Sequence, residues 1–166
     1  MPDPHLQPLS LRLGTSSAEG TRALGSALAT VAQAGDRLAL VGPLGAGKTQ
    51  FAKGFAVGLG IDEVVNSPSF TLMAEYEGRL TLFHQDLDRL AGADEVLAGG
   101  LLDERQDDGV TLSEWADRLD SGLDPERLTV AIEPVGEAER EIDIRGHGDV
   151  ARRYVEAARR WVRGAA

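Results

Sequence analysis

Leu9, Leu11 and Leu13 alternate with other residues, the period-two pattern of a short strand. Thr15, Ser16 and Ser17 then offer helix N-caps, and Ala23, Leu24, Ala27, Leu28 and Val31 recur at helical spacing until Gly35. The run Arg37-Leu-Ala-Leu-Val41 has strand length and stays apolar past its arginine, as in a strand covered on both faces, and it leads straight into Gly42. A second helix is expected within residues 47–57, ending near Gly58 to Gly60; Gly54 inside it is either a weak point or a close packing contact. Residues 70–77 and 79–84 flank Gly78 as a β-hairpin whose second strand closes at Asp86.

A helix is expected over residues 93–102 despite Gly99 and Gly100, followed by an acidic loop over 103–108 of the kind that is usually solvated. Residues 109–113 form the next strand, ending at Glu114-Trp115. A second hairpin pairs 127–132 with 141–144, and a helix over 149–162 follows. In that helix Val150, Tyr154, Ala158 and Trp161 share a face, which turns Arg152, Arg153, Arg159, Arg160 and Arg163 largely outward. No repeat or linker interrupts the chain, so residues 1–166 read as one domain. Strands alternate with helices first and come as hairpins later, which predicts an α/β fold with a mixed parallel and antiparallel sheet between helices.

Composition narrows the chemistry. The 166 residues include 42% hydrophobic side chains, enough to bury a core. The absence of Cys excludes disulfide staples, cysteine zinc sites and a thiol nucleophile. The opening residues lack a basic segment followed by an apolar one, and no run of 18 apolar residues occurs, so the expected location is the cytoplasm, away from membranes. Seventeen basic against 27 acidic residues give a net charge of −10, which repels polyanions over most of the surface. Binding phosphate therefore requires a dedicated site.

Gly42-Pro-Leu-Gly-Ala-Gly-Lys-Thr49 supplies one. It fits the P-loop pattern, follows a buried strand and precedes a helix. Chance occurrence in a chain of this composition is roughly 0.003, so the match is not an accident of its glycines. Gly42, Gly45 and Gly47 are expected to free the backbone and let its N–H groups approach phosphate. The helix dipole favours the anion, Lys48 reaches the β- and γ-phosphates, and the Thr49 hydroxyl is placed to ligate Mg²⁺. Lys48 is one of two lysines against fifteen arginines; the other, Lys53, reads as a surface residue of the helix. Turnover also needs a metal-side carboxylate and a group that orients water or another acceptor. Asp86, Glu114 and Glu133 each end a strand, and spacing alone does not choose among them.

Beyond the P-loop, Ser67-Pro-Ser-Phe-Thr-Leu72, Glu75-Tyr76, His84-Gln-Asp-Leu-Asp-Arg-Leu90 and Glu114-Trp115 follow in order. Together with Gly45-Ala-Gly-Lys-Thr49 this set resembles the TsaE (YjeE) family, small bacterial P-loop ATPases needed to make threonylcarbamoyladenosine in tRNA. The resemblance runs from about Thr15 to Trp115. It implies a P-loop NTPase-like three-layer fold, ATP and Mg²⁺ as cofactors, and work alongside the TsaD and TsaB proteins. It also implies that Asp86 and Glu114 are the working carboxylates and that Glu133 is not. On this reading Lys48, Asp86 and Glu114 are catalytic, and Gly42, Gly45, Ala46, Gly47, Lys48, Thr49 and Gln50 bind the nucleotide. Thr49, Glu114 and Asp86 serve the metal: Thr49 as a direct ligand, Glu114 as a direct or water-mediated one, and Asp86 as a carboxylate that either backs the metal's ligands or orients the attacking water, with the division between Asp86 and Glu114 left open. Residues 67–72 resemble a γ-phosphate-sensing switch.

The chain departs from the family pattern at Pro43, Gln50, Ser69 and Asp88, where Asp, Thr or Ser, Thr and Tyr are usual. None of these removes a phosphate or metal group. His84 reads as a structural histidine rather than a base. The acidity of the chain leaves tRNA contact indirect, or confined to the arginines of the last helix. Two alternatives use the same loop: a small-molecule kinase, and a nucleotide sensor that does not hydrolyse.

Overall fold

The computed structural model of the chain describes residues 8–43, 45–63, 65, 73–86, 108–115 and 127–164. Seven strands, β1 (Pro8–Thr15), β2 (Arg37–Val41), β3 (Met73–Tyr76), β4 (Leu82–Asp86), β5 (Val110–Trp115), β6 (Leu128–Pro134) and β7 (Arg140–His147), join in one sheet. Its order is β1-β7-β6-β2-β5-β4-β3. The four central strands β6, β2, β5 and β4 run parallel, while β3, β7 and β1 are added antiparallel. Helices α1 (Ala18–Ala29), α2 (Lys48–Gly58) and α3 (Gly148–Gly164) flank it. The expected α/β fold with a mixed sheet is therefore the one observed. The helix expected over 93–102 lies outside the described residues. Among the described residues no helix is long and apolar enough to cross a membrane.

The central strands form where the sequence is apolar on both faces: Leu38, Ala39, Leu40 and Val41 are all buried. Leu40, Leu112, Leu128, Val130, Ile142 and Ile144 meet Leu24, Leu28, Phe51, Phe55 and Tyr154 from the helices in one core. Each such Leu or Phe contributes about 1.5–3 kcal/mol by burial. Ser17 caps α1, its hydroxyl accepting the Gly20 N–H at 3.0 Å. Gly54 is a close contact, not a weak point: a Cβ there would lie 1.9 Å from the Arg22 carbonyl oxygen of α1. The two helix backbones touch at that position, so no side chain fits between them.

Several boundaries differ from the sequence reading, and for three the local reason is plain. β1 extends past Leu13 because Thr15 continues the inward face, its hydroxyl bonded to that of Thr21 at 2.8 Å. The first hairpin turns over 77–81, since Arg79 leaves the strand. Its N–H donates to the Leu59 carbonyl at 2.7 Å, and its guanidinium donates to the carbonyls of Ala29 and Ala32 at 2.8 and 3.1 Å, satisfying the end of α1. β7 runs longer than 141–144 because it pairs with β1 and β6 on both edges.

The last helix corrects a further expectation. Arg153 is not outward. It donates to both carboxylate oxygens of Asp36 at 2.9 and 2.7 Å and to the Val31 carbonyl at 2.7 Å, and its side chain is 17% exposed. The Tyr154 hydroxyl donates to the same carboxylate at 2.7 Å. Asp36, directly ahead of β2, thus pins α3 to the sheet, and the burial of Asp36 and Tyr154 makes the pairing obligatory. Arg152 pairs with Asp149 at 3.0 Å, while Arg159, Arg160 and Arg163 are exposed.

Burial, then the Asp36 charge, pushes the Tyr154 hydroxyl well above its ordinary value of 10.0. The folded state therefore holds that proton where the unfolded chain releases it, and stability falls as pH rises past the unfolded value. Urea unfolding of the wild type should weaken between about pH 9 and about pH 11. Tyr154→Phe should show a shallower decline over the same interval; an identical slope would contradict this account.

Candidate nucleotide site at the strand ends

Because β2, β4, β5 and β6 are parallel, their C-terminal ends gather at one edge of the sheet, and the loop after β2 begins there. That edge is where open α/β sheets bind ligands. The loop turns through two left-handed glycines, Gly45 at φ 80° and Gly47 at φ 110°, the latter standing at the N-cap of α2. Gly42 has a different reason to be glycine. Its φ is not positive; a Cβ there would lie 2.4 Å from the Ile132 carbonyl oxygen of β6. The expectation that all three glycines serve backbone conformation holds for two of them.

Lys48 opens α2 and is buried, with its ammonium donating to the Gly42 carbonyl at 2.7 Å. The side chain is thereby folded over the loop at the positive end of the helix. The Ala46 N–H donates to the Pro43 carbonyl at 3.0 Å, so in this conformation that amide is engaged within the loop. Gln50 faces α1, where its side-chain oxygen accepts from Arg22 at 2.6 Å.

The metal-side group forms across three elements. Register sets Asp86 of β4 beside Glu114 of β5, and His84 beside Leu112. Alternation places His84 and Asp86 on the same face of β4. Glu114 is buried; one carboxylate oxygen accepts the Thr49 hydroxyl at 3.2 Å and the other bonds His84 Nε2. His84 is fully buried, and among the described residues its Nδ1 has no partner. It is thus neither a solvent-facing base nor mere packing: it holds the carboxylate that meets the P-loop threonine.

Thr49 and Glu114 suit a hard divalent cation. Among the described residues no group of three His, Asp or Glu side chains converges as a metal cage. Mg²⁺ is ordinarily held by one or two carboxylates together with substrate phosphates, so this donor set fits it.

Glu133 borders the start of the P-loop, in a groove that Gly42 and Pro43 also line, and is not among the residues bonded to Thr49 or His84. It is exposed in that groove, of about 450 Å³, with Arg12, Glu141, Asp143 and Arg145, opposite in alternation to the buried Ile132. The segment 67–72, Asp88 and the loop 103–107 lie outside the described residues, as does the side chain of Trp115. Sequence reasoning missed two residues here. Asp36 carried a weak signal, an acid directly ahead of an apolar strand. Arg140 carried none: it reaches the P-loop from 94 positions away, donating to the Ala46 carbonyl at 2.8 Å.

Residues 15–142 match the family model described as "Threonylcarbamoyl adenosine biosynthesis protein TsaE". The chain belongs to the TsaE family. It is 44% identical over 140 residues to the tRNA threonylcarbamoyladenosine biosynthesis protein TsaE of Bacillus subtilis, covering 84% of this chain and 87% of that one. The protein of the same name from Treponema pallidum is 38% identical over 134 residues, covering 81% and 99%. A crystal structure of Bacillus subtilis YdiB superposes with a TM-score of 0.71 at 38% identity, covering 93% of this chain and 97% of that one. The family match spans the P-loop, His84, Asp86 and Glu114 together.

A double-mutant cycle of His84→Ala and Glu114→Ala, read by urea unfolding, should give a coupling energy of about 1–3 kcal/mol. Additivity within about 0.5 kcal/mol would show that the ring and the carboxylate do not hold each other.

Proposed function

We propose that the chain binds ATP with Mg²⁺ in this cradle and hydrolyses it as a component of the machinery that makes threonylcarbamoyladenosine in tRNA, alongside TsaD and TsaB. Membership of the TsaE family supports the pathway. The observation that carries the ATPase reading is the Thr49–Glu114 contact at the start of the Lys48 helix, with Asp86 next to Glu114 in register. A phosphate-binding turn alone would not need a buried carboxylate aimed at its threonine.

Each residue has a derivable part. The amides of the loop and the positive end of α2 receive the phosphate oxygens. Lys48 exchanges the Gly42 carbonyl for the β- and γ-phosphates. Thr49 and Glu114, 3.2 Å apart, would hold the cation, and the His84 bond keeps Glu114 turned toward Thr49. A bound Mg²⁺ would supply neutralisation of phosphate charge there. Asp86 orients the attacking water as the carboxylate beside the metal ligand.

The net charge of −10 disfavours broad tRNA contact, so work on tRNA passes through partners. With Arg153 committed to Asp36, a local basic patch reduces to Arg152, Arg159, Arg160 and Arg163 at most. Phosphate release should be slow for the chain alone and rise with purified TsaD and TsaB, as for P-loop sites completed by a partner. Lys48→Ala and Asp86→Ala should each lower the stimulated rate by about tenfold or more. Transfer of the γ-phosphate to a metabolite would instead establish a kinase. Absence of turnover with both partners present would establish a sensor, and either outcome would contradict the proposal.

A further inference from the structure

Arg140, the first residue of β7, takes no part in the reading above, yet it is bonded to the same loop. Its Nε donates to the Ala46 carbonyl at 2.8 Å and its Nη2 to the Gly45 carbonyl at 3.3 Å. Its Nη1 donates to the carbonyls of Glu139, Gly136 and Glu137 at 2.9, 3.3 and 3.3 Å. Its acceptors are thus main-chain carbonyls: two in the P-loop and three in the turn between β6 and β7. A single guanidinium staples one to the other.

The geometry of the peptide bond gives this staple a consequence. A carbonyl and the N–H that follows it lie in one plane and point in opposite directions. Holding the Ala46 carbonyl outward on Arg140 therefore turns the Gly47 N–H the other way, into the loop. Holding the Gly45 carbonyl does the same for the Ala46 N–H, which here points inward to the Pro43 carbonyl at 3.0 Å. These peptides sit between Gly45 at φ 80° and Gly47 at φ 110°, two residues whose backbone rotates at little steric cost. Nothing in the local sequence prevents such peptides from flipping their amides away from a ligand.

We propose that Arg140 is a positioning residue of the phosphate cradle, fixing the Gly45–Gly47 peptides so that the Gly47 amide faces the nucleotide and the Ala46 amide stays turned into the loop. The inference rests on the nucleotide-binding reading of the P-loop. It requires the planar fork of arginine, because a lysine ammonium is a compact point charge on a flexible stem and does not bridge five carbonyls in fixed directions. A side chain serving only long-range attraction of phosphate would work equally well as lysine.

Fluorescence titration with N-methylanthraniloyl-ADP and Mg²⁺ tests this on the full chain. The wild type should bind, and both Arg140→Ala and Arg140→Lys should raise Kd by about tenfold or more. Thermal midpoints without nucleotide, measured in parallel, should show both variants folded at the titration temperature. If Arg140→Ala fails to fold, Arg140→Lys carries the test. A Kd for Arg140→Lys within about twofold of wild type would overturn the positioning role. Failure of the wild type itself to bind would instead overturn the nucleotide reading, and the inference with it.

Discussion

One buried carboxylate organises this molecule's candidate chemistry. Glu114 ends the strand at the middle of the sheet's parallel portion, where burying a charge is costly unless its oxygens are bonded. Both are: Thr49 of α2 takes one and His84 of β4 the other. The bonds oblige the helix, the central strand and the neighbouring strand to meet at a fixed spacing. The P-loop, being the connection between β2 and α2, is held against the strand ends by the same arrangement.

The surroundings of the loop are built to the same tolerance. Gly42 leaves no room for a side chain against the β6 backbone, and Gly54 leaves none between α1 and α2. Asp36 ties α3 to the start of β2 through Arg153 and Tyr154, and Arg140 ties the loop to the far hairpin. Strand β2 is thus anchored at its beginning by one ionic knot and at its end by the loop. In a chain of net charge −10, the proposed cradle of backbone amides with one lysine would give phosphate a place that global charge does not govern.

The parts legible in the sequence were those whose signal is local. The P-loop appears as a contiguous pattern, β2 as an apolar run, and α1 as a helical periodicity capped by Ser17. Asp86 and Glu114 were legible as strand ends, but their adjacency came from sheet register, which spacing does not encode. Arg153 was misread because helical periodicity identifies a face, not the buried acid from another element that meets it. Thr15 hid the end of β1 because a threonine satisfied by a second threonine looks polar while lying inward. Arg140 was illegible for the same reason as Asp36: its partners are backbone atoms or side chains brought close only by the fold.

The most direct test of the account is the Mg²⁺ dependence of ATP affinity, measured by isothermal titration calorimetry on the full chain and on Thr49→Val. If Thr49 and Glu114 hold the cation, Mg²⁺ should tighten ATP binding by about tenfold or more in the wild type. That gain should vanish in Thr49→Val, while affinity in chelator stays unchanged. An equal gain in both proteins would contradict it.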